Sequence, residues 1–402
     1  MPWSSYAASV PHMTHNISRA LKMGLFALLG CASVGLFLAR PQERSAKNGE
    51  LPRRSKIAAA QRLIPPENLA VERLDYQLRA SSMSTMGNML HALHVFGASE
   101  GNGYSLERIL DVVTNEAAAM KRFDGKSPFI RSATGVRIRL VDIKFLSQDF
   151  AEAEHHPGQM LSMLGAAGVP LDQRIRFQDG TSTTLKAIRD DLILGFDLHG
   201  EIYWQISALA HYLDKTSWTN KYGEKFTFDS AAEELLRRDP NDSPCLGLHK
   251  PLTLATLVVL SDNGGGMPLL SFEVRSKVNQ YLAEIVTNTE KRQSAAGDWG
   301  ADWWSGAPTP ENPLEREDAK LIARLTATGH LLELFALVGP YLRTSPELKN
   351  SSFEDEPRVE VVGRAKQWLG RTLSEKAADA RWIDRNYCPV SHAYKSLHSP
   401  GR

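Results

Sequence analysis

The stretch Ser271-Phe-Glu-Val-Arg-Ser-Lys-Val-Asn-Gln-Tyr-Leu-Ala-Glu-Ile-Val-Thr-Asn-Thr-Glu-Lys-Arg292 decides the fold class. Val274, Val278, Tyr281, Leu282 and Ile285 recur at helical spacing, while charged residues fill the other face. A helix with one such stripe must bury it against a neighbour, so the chain is expected to be built of packed helices.

Working outward from this segment, further helical patterns occupy 84–96, 105–122, 157–166, 183–195, 201–213, 251–261, 330–338 and 359–375, separated by Gly, Pro, Asn and Asp clusters. Ser230-Ala-Ala-Glu233 has the form of a capping box and predicts a helix start. The one strand-like stretch is 136–145, where Val136, Ile138 and Leu140 alternate with Arg137 and Arg139, as in an isolated hairpin. The reading is mainly α.

Several of these helices begin alike. His156-Pro157, Gly200-Glu201, His249-Lys250-Pro251 and Gly329-His330 each set a His or Glu beside Pro or Gly at an expected helix start, where Pro loses no hydrogen bond. Their recurrence at about 40–50 residues, with the last gap near two periods, is the signature of a helical-hairpin array, open or closed into a ring.

Directly after the deciding helix comes Gln293-Ser-Ala-Ala-Gly297-Asp-Trp299. It resembles the Q-x-x-x-G-x-W repeat of the terpene cyclases, whose domains are α/α toroids related to the prenyltransferase β subunits. In those proteins the motif ties a helix end to the next turn through glutamine hydrogen bonds and tryptophan stacking. The chain also resembles membrane-anchored bacterial proteins of this toroid type, of a planctomycete branch. The resemblance implies an α/α toroid of about five to six helical hairpins over residues 67–380. It implies no cyclase chemistry: the acid motif DxDD is absent, and Asp190-Asp191 is followed by Leu-Ile-Leu rather than completing DDxxD.

In a toroid the inner helix starts would converge on one mouth. The candidate catalytic residues are therefore His156 with Gln159, Glu201 with His211, and His330 with Glu333. On an ideal helix Glu201, Trp204 and His211 fall within roughly 80° of arc, hence on one face. A His beside a carboxylate suits acid/base chemistry, because the acid orients the imidazole and tunes it. The competing reading is that these groups cap helix ends and pair with one another. Cys245 and His249, four apart, are the candidate metal ligands, with His330 or His156 completing a zinc set. Related prenyltransferases hold zinc through Asp, Cys and His, and Asp242, Cys245 and His330 supply those types at a different spacing. Gly97-Ala-Ser99-Glu-Gly101 follows a helical pattern and is a loop rather than a nucleophile elbow, and Asn263-Gly264-Gly265-Gly266 lacks the Lys-Ser/Thr of a phosphate loop. Trp299, Trp303 and Trp304 suit either core packing or stacking on a ligand.

From Met23 to Ala39 no charge occurs, and Arg19, Lys22 and Arg40 bracket the run, as expected for a single transmembrane signal anchor. The implied order is a segment 1–22, the anchor 23–39, a charged linker 40–66, the helical domain 67–380 and a tail 381–402. The basic residues after the anchor argue for a cytoplasmic domain, and the signal-anchor layout argues for an exported one; export is the expectation. Lys plus Arg number 47 and Asp plus Glu 46, so no global field favours nucleic acid. With so little catalytic signature, an enzyme acting on a lipid or glycan in the toroid cavity and a non-catalytic scaffold for a peptide, lipid or envelope protein both stand.

Overall fold

A computed structural model describes residues 66–97, 101, 104–132, 135–141, 150–263, 268–304, 316–344 and 359–398. The expected anchor 23–39 and most of the linker lie outside the described residues, as does the Gly97–Gly101 loop in part. The described chain is mainly helical, with three antiparallel hairpins.

In chain order the elements are α1 (Pro66–Ser81), α2 (Met86–Phe96), α3 (Leu106–Val113), α4 (Glu116–Arg122), β1 (Phe129–Ser132), β2 (Gly135–Ile138), α5 (Gln159–Ala166), β3 (Arg174–Arg176), β4 (Ser182–Thr184), α6 (Leu185–Leu194), α7 (Tyr203–Tyr212), β5 (Ser217–Thr219), β6 (Lys225–Thr227), α8 (Phe228–Arg237), α9 (His249–Asn263), α10 (Phe272–Glu290), α11 (Glu317–Thr344), α12 (Val359–Lys376), α13 (Ala380–Arg385) and α14 (Tyr387–His398). The deciding helix is α10, capped by the Ser271 hydroxyl accepting from Val274 N–H. Its Val274, Val278, Leu282 and Val286 are buried, while Phe272 stays exposed.

Two sets of helices differ in how completely they are buried. α2 and α7 are buried on almost every side, and so is most of α9, whereas α3, α8, α10 and α12 bury one stripe. The buried set packs in sequence: α2 on α5, α5 on α7, α7 on α9, α9 on α11, α11 on α14, and α14 back on α2. Between consecutive members lies an amphipathic element against the outside, such as α8 on α9 and α10, or α12 on α1, α11 and α14. The first and last helices are tied directly: Tyr387 OH donates to Leu78 O at 3.0 Å, and Tyr394 OH to Asp75 Oδ1 at 2.8 Å.

Residues Gln293 to Trp299 tie the end of α10 to neighbouring helices. Gln293 Nε2 donates to Gly297 O (2.8 Å) and to Val361 O on α12 (2.7 Å), and Arg364 donates to Gln293 Oε1. Trp299, fully buried, donates its indole N–H to Thr289 O near the end of α10 and its main-chain N–H to Thr328 Oγ1 on α11. Gly297 has φ +101°, and a Cβ there would stand 2.6 Å from Arg364 O, so only glycine fits.

Several expectations are corrected. The 105–122 pattern is two helices, broken where Asn115 caps α4. The helix after strand β6 starts at Phe228, capped by a Thr227–Ser230 box, so Ser230 to Glu233 is not its start. Of the expected strand 136–145, residues 136–138 fall in β2, paired with β1, and 142–145 lie outside the described residues; two more hairpins occur among the described residues. The hairpins begin at residues 129, 174 and 217, a spacing of about 44 that fits the two-helix repeat. The helix expected at 330–338 is the long α11, which runs straight through Gly329. A Cβ on Gly329 would lie 2.9 Å from Ala393 N, and Ser396 Oγ donates to Gly329 O; this glycine lets α11 and α14 approach rather than ending a helix. Residues 381–398, read as tail, form α13 and the buried α14. Within α11, Glu317–Gly339 is long and apolar enough to cross a membrane, but it is mostly buried in the domain.

Candidate functional site

The buried helices carry a file of imidazoles through the interior. His156 lies over Trp204 with ring centroids 6.0 Å apart; His156 and His249 are 5.5 Å apart, His249 and His330 6.2 Å, and His330 and His392 4.3 Å. His91 and His94 of α2 approach His392 at 5.4 and 5.0 Å. All of these histidines are buried. Apolar surroundings oppose an added proton, so burial first, and neighbouring imidazoles second, hold His249 and His330 well below the usual imidazole range. Both are therefore neutral near pH 7 and carry a lone pair.

Three groups place ligand atoms within 4.8 Å of one another: His91, Cys388 and His392; Cys245, His249 and His330; and His94, Glu333 and His392. In the first, the outer nitrogens of both imidazoles are fixed. His91 Nδ1 lies 2.6 Å from Gly87 O, a carbonyl that can only accept, so Nδ1 carries the proton and Nε2 the lone pair. His392 Nδ1 lies 2.9 Å from Glu333 Oε2, which orients it the same way. Neither Nε2 makes a hydrogen bond of normal geometry. Carbonyl or carboxylate behind the rear nitrogen, with the front nitrogen open, is the arrangement that supports metal-bound histidine. The His155 ring lies where a Cβ on Gly87 would stand, at 2.6 Å, so a larger residue there would have to displace that ring.

Glu333 accepts from two histidines, since His94 Nε2 is 2.8 Å from its Oε1. Burial pushes this carboxyl up, but the charge and hydrogen bonds of His392 and His94 outweigh it and hold it well below the carboxylate range. The same balance sets the histidines apart. Burial works against the His392 imidazolium, yet Glu333 raises its pKa to about 9, whereas burial and then Lys395 drive His94 down to about 3. A neutral His94 donating to Glu333 accepts from Lys395 Nζ at 3.1 Å. The third group is thus closed by N–H donors facing a carboxylate, and it supports the first rather than offering a separate ligand set.

Cys245 precedes α9 in a strained turn. Cys245 and Leu246 both have left-handed φ, +51° and +61°, at a cost on the order of 1–3 kcal/mol each for side chains of this size. The turn is held by Gly247 N–H to Ser243 O, Leu248 N–H to Cys245 O and the Trp303 indole to Leu246 O at 2.7 Å. Neither Cys245 nor Cys388 is in a disulfide, and burial raises the Cys388 thiol.

The expected residues divide as follows. Cys245, His249 and His330 come together. His156 joins them through His249, with its Nδ1 2.5 Å from Glu201 Oε1 but out of hydrogen-bond geometry, and Glu201 part exposed. Gln159 is buried at the start of α5, where its carbonyl accepts from His155 N–H and its Nε2 has no partner. Glu333 faces His94 and His392 instead of forming a pair with His330. His211 is not part of the site: it ends α7, where its Cβ fills the space beside Gly165, and burial lowers its pKa to about 4. Asp242 is exposed in a 3-10 turn, so the prenyltransferase-like Asp-Cys-His set does not form. Sequence reasoning missed His91, His94, Cys388 and His392. One signal was present: Cys388-Pro-Val-Ser-His392 repeats the C-x-x-x-H spacing of Cys245-Leu-Gly-Leu-His249. A surface cleft of about 1080 Å³ between α3, α4 and β3, with Met83, Leu106, Arg122 and Arg176 among its walls, shares no residue with these groups.

Chemically, the grouped thiols and imidazoles are the donor types that could hold a borderline-soft cation. No protein-family model, curated protein or solved structure matches the chain.

Proposed function

We propose that the chain is an α/α toroid of six helical hairpins whose interior holds a transition-metal ion, zinc by its donor set. The cyclic packing of the buried helices and the ties made by Gln293 and Trp299 support the toroid reading. The single observation that carries the metal is the convergence of Cys388 with His91 and His392, each held with Nε2 toward the thiol by a hydrogen bond behind it, from Nδ1 to Gly87 O and Glu333 respectively; His392, raised to about 9 by Glu333, would release its Nε2 proton as the ion binds. One thiolate and two imidazoles select zinc over calcium or magnesium. The ion would join α14 to α2, the two ends of the buried helix series. Metal analysis of the full chain, purified in mild detergent without chelator, tests this: stoichiometric zinc, with one equivalent fewer in His91→Ala, is expected. A metal-free but folded protein that takes up no added zinc refutes it.

A second reading, an enzyme acting on a lipid or glycan, is favoured by the His156–Glu201 contact, because a part-exposed carboxylate behind an imidazole is an acid/base pair. Glu201→Gln should then abolish turnover of a lipid or glycan found by screening while leaving zinc content unchanged. Unaltered turnover removes Glu201 from that role.

A further inference from the structure

We infer that the interior holds two metal ions rather than one, the second bound by Cys245, His249 and His330. This rests on the metal reading above and extends it.

The two sets share no ligand and repeat one design. Cys388 and His392, four apart, lie at and within the start of α14 and are completed by His91 from the next helix in the packing series, α2. Cys245 and His249, also four apart, lie just before and at the start of α9 and are completed by His330 from the next helix, α11. A ligand pair at i and i+4 with a third from the neighbouring helix is thus built twice, on elements related by the two-helix repeat.

The backbone at Cys245 gives independent support. Two successive left-handed residues with side chains persist only where the surroundings dictate them. Here the Trp303 indole, Ser243 and the tight passage of Gly247 past Pro240 fix the turn, whose result is to set the thiol beside His249 and His330. A turn needed only to start α9 would accept glycine at these positions. Both imidazoles of this set are buried beside the thiol. His330 and His392, one from each set, are in edge-to-face contact with centroids 4.3 Å apart, so the two ions would be neighbours in one centre. As each ion binds, its cysteine thiol gives its proton to solvent and the sulfur bonds to the metal; in the first set His392 must give up its Nε2 proton as well.

The experiment is native mass spectrometry and metal analysis of the full chain in detergent, wild type and with Cys245→Ser or Cys388→Ser, loaded with zinc and separately with cobalt(II). Two equivalents in the wild type and one in each variant, with the thiolate-to-cobalt absorption halved in each, are expected. One equivalent in the wild type overturns the second site while leaving the first reading intact. No bound metal overturns both. If a variant fails to fold, the wild-type stoichiometry still decides.

Discussion

Replacing Glu333 by Gln keeps the side chain's shape and removes its charge, and the structure sets the cost. The carboxylate is buried and accepts at 2.8 Å from His94 and at 2.9 Å from His392. A hydrogen bond to a charged group contributes about 1.5–3 kcal/mol, so two give roughly 3–6. Removing one partner of a buried ion pair independently gives about 3–5 kcal/mol, because the remaining charge is stranded. The glutamine amide group would also turn a donor toward one of two N–H donors. We therefore expect a loss of about 3–5 kcal/mol in urea unfolding at pH 7, followed by circular dichroism with chelator present so that no metal enters the comparison. With zinc restored, affinity should fall about 10- to 100-fold, the usual effect of losing the group behind a metal-bound histidine. A stability change below about 1 kcal/mol with unchanged zinc affinity would falsify the role assigned to Glu333.

Two further outcomes test the fold and its titration. Gly297→Ala forces a Cβ to 2.6 Å from Arg364 O at φ +101°, and should cost about 1–3 kcal/mol in the same unfolding assay; a neutral effect would mean that the Gln293 turn is not fixed as described. Glu154 is buried against the start of α5, and burial raises its pKa to about 7 despite main-chain bonds from Gly158 and Met160. Because the folded value exceeds the unfolded 4.5, its contribution is complete below pH 4.5 and is lost as pH rises through 7, about 3 kcal/mol in all. Glu154→Gln should flatten the wild-type decline in stability between pH 5 and 8, and an unchanged slope would assign the decline elsewhere.

What was legible in the sequence was what is local. Val274, Val278 and Leu282 announce α10 by their spacing, and Gln293 to Trp299 mark the turn after it, because the bonds they make begin within a few residues. Three-residue strands such as Arg174–Arg176 are too short to show alternation, so the hairpins did not register. Gly329 looked like a helix boundary because its purpose, the approach of α14, lies 64 residues away in the chain. Likewise His91 and His392 sit among apolar residues on ordinary helices, and nothing nearby distinguishes a ligand from a core histidine. Only the doubled C-x-x-x-H spacing hinted at them. Cys245, His249 and His330 were found because turn residues flag the first two and a conspicuous glycine flags the third.

The pairing of α14 with α2 and α1 has a consequence for the order of synthesis. Leu78, Gly87 and His91 leave the ribosome some three hundred residues before Tyr387 and His392, which complete their surroundings. Until then the early helices have no mate on that side, and His91 lacks its cysteine. The nascent chain must therefore keep an apolar flank covered by other means through most of translation, and a stop codon anywhere before Tyr387 would leave it uncovered for good.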